Sequence, residues 1–150
     1  AFGFTKLRYL RGHYRCARDQ AVILEVKPPV ARYWNFQVGN VQWEAMDYHM
    51  RQVSINAHQA VLDADGLFRA VISHQDPGVA NWLDASGHTL GLISGRYYVP
   101  ETAPAPTLRT IALADVKKYL PADTRMVTPA QRQTALRNRM LSTIRRGCGD

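Results

Sequence analysis

The chain has 150 residues, of which 46% are hydrophobic and 21% charged, so it can bury a core of its own and is not a wholly disordered segment. No run of 18 apolar residues occurs, which excludes a membrane-spanning helix. The formal net charge of +7 sits at the two ends: residues 1–32 and 125–150 are each net +5, while the aromatic-rich centre, 33–124, is net −3. A nucleic-acid binder interleaves aromatics with a basic face, and this distribution argues against one.

The opening stretch, "AFGFTKLRYLRGHYRC", has no initiator Met and no signal-peptide pattern. It reads as the interior of a longer chain, so a fragment, a processed form or an isolated domain is expected, in a cytoplasmic rather than a periplasmic setting. Cys16 and Cys148 lie near opposite ends without metal-type spacing, leaving both a disulfide and two separate thiols open. Their Arg-rich neighbourhoods could lower a thiol pKa.

Residues 21–26 form an apolar run suited to a buried strand, ended by Pro28 and Pro29. Residues 31–40 alternate, placing Tyr33, Asn35 and Gln37 on one face and Trp34, Phe36 and Val38 on the other. A further strand is expected toward Val53 and Ile55, with Gln52, Ser54, Asn56 and His58 on its polar face. Asp65-Gly66 marks a hairpin turn into a strand over 67–76, which ends at the turn Asp76-Pro77-Gly78. Residues 81–88 read as a loop, 88–99 as a strand with glycines at 91 and 95, and 100–106 as a Pro-rich connection. A last strand at 108–113 and a short helix at 114–120 follow.

Residues 128–147 have helix grammar: Thr128 as N-cap, Pro129 in the first turn and Gly147 at the stop. Leu136, Met140, Leu141 and Ile144 form a narrow apolar stripe by which this helix would dock on its own domain. The elements together predict a mainly-β fold, an antiparallel, jelly-roll-like β-sandwich over residues 1–127 (core 20–115) with a C-terminal α-helix.

The densest polar cluster is 73–88. His74, Asp76 and His88 offer two imidazoles and a carboxylate, the donor set of a divalent iron or zinc site in a metal-assisted enzyme. The short separation of Asp76 from His88 is unlike that of iron oxygenases, and turn formation by Asp76 and Asp84 accounts for the same residues. No nucleophile elbow, phosphate loop or dinucleotide motif is present. Tryptophans and tyrosines interleaved with amides suit a cleft that grips a polar organic or carbohydrate-like ligand without a cofactor. Its lining would be Asn35, Gln37, Asn40, His58, Asn81, Asp84 and Arg96 with the 73–88 cluster, and Trp82 would stack on the ligand. The third alternative is architectural: a domain that completes a larger protein or builds a homo-oligomer.

The segments Tyr33 to Asn40, Asp47-Tyr48, Asp65-Gly66, His74 to His88 and Arg96-Tyr97 occur together and in order. In these, over roughly residues 20–115, the chain closely resembles the family called domain of unknown function 1214. That resemblance implies a β-sandwich at the C-terminal end of a longer bacterial protein, often preceded by domain of unknown function 1254. It implies no reaction. Ala80 and Ala85 depart from the Pro and Thr that relatives often carry in this loop.

Overall fold

The structure, a computed structural model, describes residues 6–147. Eight strands build two four-stranded layers. They are β1 (Leu7–Arg15), β2 (Gln20–Val26), β3 (Ala31–Gly39), β4 (Ser54–Asn56), β5 (Phe68–Ser73), β6 (Trp82–Asp84), β7 (Leu90–Pro100) and β8 (Thr107–Ala112). Sheet A runs β1-β7-β3-β4 and sheet B runs β6-β5-β2-β8. Strand pairing is antiparallel except between β5 and β6. The mainly-β sandwich read from the sequence is what the chain forms; the strand order establishes the two layers rather than a jelly-roll winding.

Alternation along each strand explains the core. Trp34, Phe36 and Val38 of β3 and Tyr97 of β7 face Val22, Leu24 and Val26 of β2 and Phe68, Ala70 and Ile72 of β5. The Trp34 and Phe36 rings meet Phe68 edge-on at 5.1 Å and stacked at 5.9 Å. Gly91 and Gly95 are required by close approach: a Cβ would fall 2.6 Å from the Tyr14 ring at the first and 2.9 Å from the Phe36 ring at the second.

Strand β2 reads as an unbroken apolar run because sheet B is buried on both faces. Its outward residues, Ala21 and Ile23, join Val71, Val79, Trp82, Ile111 and Val116 in a second cluster. That cluster lies under the 3-10 turn Leu113–Asp115 and helix α1 (Val116–Tyr119), which contribute Leu113 and Val116, with Leu120 added just past the helix. Farther along the same face Arg69 reaches Glu25, Asp63 and Asp65 at 2.5–2.7 Å, tying the 63–66 turn to β5.

Residues 7–15, for which no element was expected, form a full edge strand, although Gly12 interrupts their apolar alternation. Two local expectations need correction. Residues 82–84, expected as loop, form β6, whose three side chains are all buried and so show no alternation. The 63–66 turn does not join two long strands: its upstream arm gives only the single bridge from Leu62 to Phe68, and β5 pairs with β2 and β6 instead.

Helix α2 (Pro129–Gly147) starts with a capping box. Gln131 N donates to Thr128 Oγ1 at 3.2 Å, and Thr128 N donates to Gln131 Oε1 at 2.8 Å. Of the expected apolar stripe, Leu136 and Met140 are half-buried, whereas Leu141 and Ile144 are 37% and 51% exposed. Its hydrogen bonds to the rest of the fold come from arginines. Arg139 donates to Ser54 O at 2.6 Å, a carbonyl on the β4 edge directed away from β3. Two turns earlier on the same helix face, Arg132 is 7% exposed and gives Asp76 Oδ2 a hydrogen bond of 2.8 Å, Gln52 Oε1 one of 3.0 Å and Val79 O a third. Gln52 in turn donates to Trp82 O at 2.6 Å, bridging the β4 and β6 edges.

Cys16 is fully buried, and its Sγ donates to Gln20 O at 3.2 Å. Burial, aided by Asp19, pushes its thiol up to about 11, the opposite of the lowering expected from nearby arginines. Cys148 lies outside the described residues, and with it the question of pairing.

Replacing Arg132 with Ala strands Asp76 and Gln52 and should cost about 3 kcal/mol in urea denaturation. It should also speed tryptic cleavage within α2, whereas exposed Arg145→Ala should change stability by less than about 0.5 kcal/mol. The pH dependence follows from Cys16. The unfolded chain ionises it near the ordinary value of 9.0 while the folded chain keeps the proton to about 11. Its contribution to stability is therefore complete below pH 9 and lost as pH rises to about 11. Denaturation midpoints measured across that window should fall, and fall less in Cys16→Ala.

Candidate functional site

With sheet B covered on both faces, sheet A is the layer whose outer face stays open. Alternation puts Tyr9, Arg11 and His13 of β1, Ser94, Arg96 and Tyr98 of β7, and Tyr33, Asn35 and Gln37 of β3 on that face. Register arranges them in rows. Tyr9, Arg96, Asn35 and Asn56 lie side by side across the four strands, and the next row is Arg11, Ser94, Gln37 and Ser54.

A turn after β3 adds an aromatic lid. Asn40 Oδ1 accepts from the backbone N of Gln42 and Glu44 at 3.1 and 2.9 Å, and Asn40 Nδ2 donates to Glu44 Oε2 at 2.5 Å. The turn holds Trp43 at φ 68°, a left-handed conformation a tryptophan rarely adopts, with its side chain 57% exposed. Arg11 Cζ then lies 4.7 Å from the Trp43 ring centre and 5.7 Å from that of Tyr9, and Arg96 Cζ lies 5.7 Å from Tyr9. Among the described residues neither guanidinium has a carboxylate within salt-bridge reach. Asn35, beside Arg96, is 8% exposed, and its Oδ1 accepts no hydrogen bond from any described residue. An orphaned buried acceptor costs about 1–3 kcal/mol, so a donor belongs beside it. Two cations, stacked rings and a free acceptor can hold an anionic group, a flat apolar face and a hydroxyl.

The structure divides the sequence-predicted cleft. Asn35, Gln37 and Arg96 share the outer face of sheet A, and Asn40 builds the turn presenting Trp43. His58 sits in an exposed turn, where its backbone N donates to Asn56 Oδ1 at 3.0 Å. The remaining residues serve the fold. Asn81 bonds Val61 and Arg69 backbone atoms at 2.6–3.0 Å through both ends of its amide. Asp84 accepts from Arg51 at 2.9 Å and from Ser86 N at 2.7 Å. Trp82, expected to stack on a ligand, is 7% exposed; its Nε1 donates to Ser73 Oγ at 3.0 Å and Arg132 lies over its ring at 5.2 Å.

The expected metal donors are not brought together. His74 Nε2 lies 2.9 Å from Cys16 O, Asp76 is engaged by Arg132 and by Gly78 N, and His88 is exposed in a turn. Among the described residues no three His, Cys, Asp or Glu side chains form a group able to hold a metal ion. The occupied partners are the reason: Asp76 already has its cation.

Sequence reading missed Tyr9 and Arg11, and it counted Trp43 among the tryptophans suited to grip a ligand without placing it in the cleft. The signal for the first two was the odd-numbered series Tyr9, Arg11, His13, which becomes a face only once 7–15 is a strand. For Trp43 it was the Asn40 to Glu44 spacing of an Asx-type turn.

A search of curated proteins returns no match. Among solved structures, an uncharacterised protein from Burkholderia cenocepacia aligns with a TM-score of 0.72 at 31% identity, over 77% of this chain and 32% of that one. A protein from Vibrio parahaemolyticus aligns with a TM-score of 0.57 at 14% identity, over 71% of this chain and 31% of that one, a likeness of fold. The chain thus spans about a third of the length of each. Residues 15–102, more than half of the chain, match the family described as Protein of unknown function (DUF1214), and the chain belongs to that family.

Proposed function

We propose that the outer face of sheet A binds a polar organic ligand of carbohydrate-like shape that bears an anionic group. What supports this reading most is the pair of guanidiniums, Arg11 and Arg96, laid against exposed Tyr9 and Trp43 rings without carboxylate partners among the described residues. A guanidinium fork pairs with a carboxylate or phosphate through two parallel hydrogen bonds, and rings beside it stack on the apolar face of a sugar. Asn35 and Gln37 would take the hydroxyls. The expected ligand class is kept from the sequence reading, and its place is moved from the Trp82 region to Tyr9 and Trp43.

A second reading rests on the matched chains being about three times longer than the aligned region. On it, the same aromatic face seats another part of a longer protein, and the role is architectural.

Titration of Trp43 fluorescence with trigalacturonate, maltotriose and a short oligothymidylate separates the options. The acidic saccharide should bind best, Arg96→Ala should weaken it about tenfold or more, and added salt should weaken it further. Equal binding of acidic and neutral sugars, or preference for the oligonucleotide, contradicts the proposal. Absence of all binding favours the architectural reading.

A further inference from the structure

A separate feature lies on the inner side of sheet A. Where the β1 and β8 edges face each other, a hollow of about 180 Å³ opens between the layers. Its walls come from Leu10, Gly12, Phe36, Ile93 and Leu108, and its rim from Ala105 and Pro106 of the Pro-rich connection. Two inward positions on neighbouring strands hold glycine. A Cβ at Gly12 would meet nothing within 4 Å, so the missing side chain there is open space inside the sandwich. The one charged residue on the wall, Arg11, carries its guanidinium against Trp43 on the opposite face of the sheet.

We infer that this hollow is a binding site for a small, uncharged, apolar ring molecule, of benzene to indole size. An enclosed apolar cavity of about 150 Å³ takes up benzene, and this hollow offers a comparable volume and lining while staying open to solvent at Leu108. A polypeptide is a poorer occupant, because the hollow has room for about one ring and its lining offers no ionised side chain. Nothing about the site depends on the anion-binding reading of the outer face.

Thermal unfolding of the whole chain in the presence of benzene, and separately of indole, tests it. The midpoint should rise by roughly 2 °C or more with at least one of them, independently of protein concentration. Gly12→Leu fills the hollow, so its unliganded midpoint should rise and its response to either probe should disappear. Should that variant not fold, nuclear Overhauser contacts between the probe and the Ile93 and Leu108 methyls of the unmodified protein decide the matter. Three results overturn the inference: no shift with either probe, an equal shift in Gly12→Leu, or contacts absent at Ile93 and Leu108. A midpoint that rises with protein concentration alone also does so, since it assigns the hollow to a side chain of a second copy.

Discussion

Arg132 is buried with Asp76, Gln52 and the Val79 carbonyl as its acceptors and the Trp82 ring beneath it. A guanidinium withdrawn from water this far persists only when its donors are met, and here one side chain from the C-terminal helix meets groups from four places in the chain. Within 73–82, Asp76 and the Val79 carbonyl are accordingly the socket for that arginine, while His74 bonds Cys16 O and Asn81 bonds the Val61 and Arg69 backbone. Each of these side chains has a partner inside the fold, and one of them, Asp76, faces a buried charge.

The same latch decides where a site can be. The segment from Leu113 to Val127 closes the outer face of sheet B: Leu113, Val116 and Leu120 pack on the β2–β5 surface, and residues 125 and 127 pair with 78 and 80. Helix α2 then continues along the β4 edge, satisfying a strand carbonyl with Arg139 and leaving that edge no longer free to pair. Two faces and one edge are consumed in this way. The outer face of sheet A remains, along with the splayed β1–β8 edge, and both proposals fall there.

Much of the fold was legible because period-2 alternation is a direct record of which face is buried. Residues 31–40 declared Trp34, Phe36 and Val38 as core, and the unbroken run 21–26 signalled a doubly covered strand. The helix caps were equally readable, being local chemistry of Thr128 and Gln131. Illegible were features whose partners are remote in sequence. Arg132 meets Asp76 across 56 residues, so an arginine on a helix looked like a solvated one and Asp76 looked like a free ligand donor. Trp82 and Trp43 are the same residue type in similarly polar surroundings, yet one is roofed by Arg132 and the other is held out by a turn. Segment charges hide a local pairing for a related reason: folding sets Arg11, from the basic N-terminal stretch, against the same Tyr9 ring as Arg96 of the acidic centre.

The accessible aromatic surface lies on the Trp43 side of sheet A and not at the Trp82 cluster. Acrylamide quenching of intrinsic fluorescence in the native protein and in Trp43→Phe tests it most directly. Trp43 is 57% exposed while Trp34 and Trp82 are 6% and 7% exposed, so quenchable emission should be nearly lost in the variant. Quenching that survives the substitution intact would place an accessible tryptophan elsewhere and contradict the account.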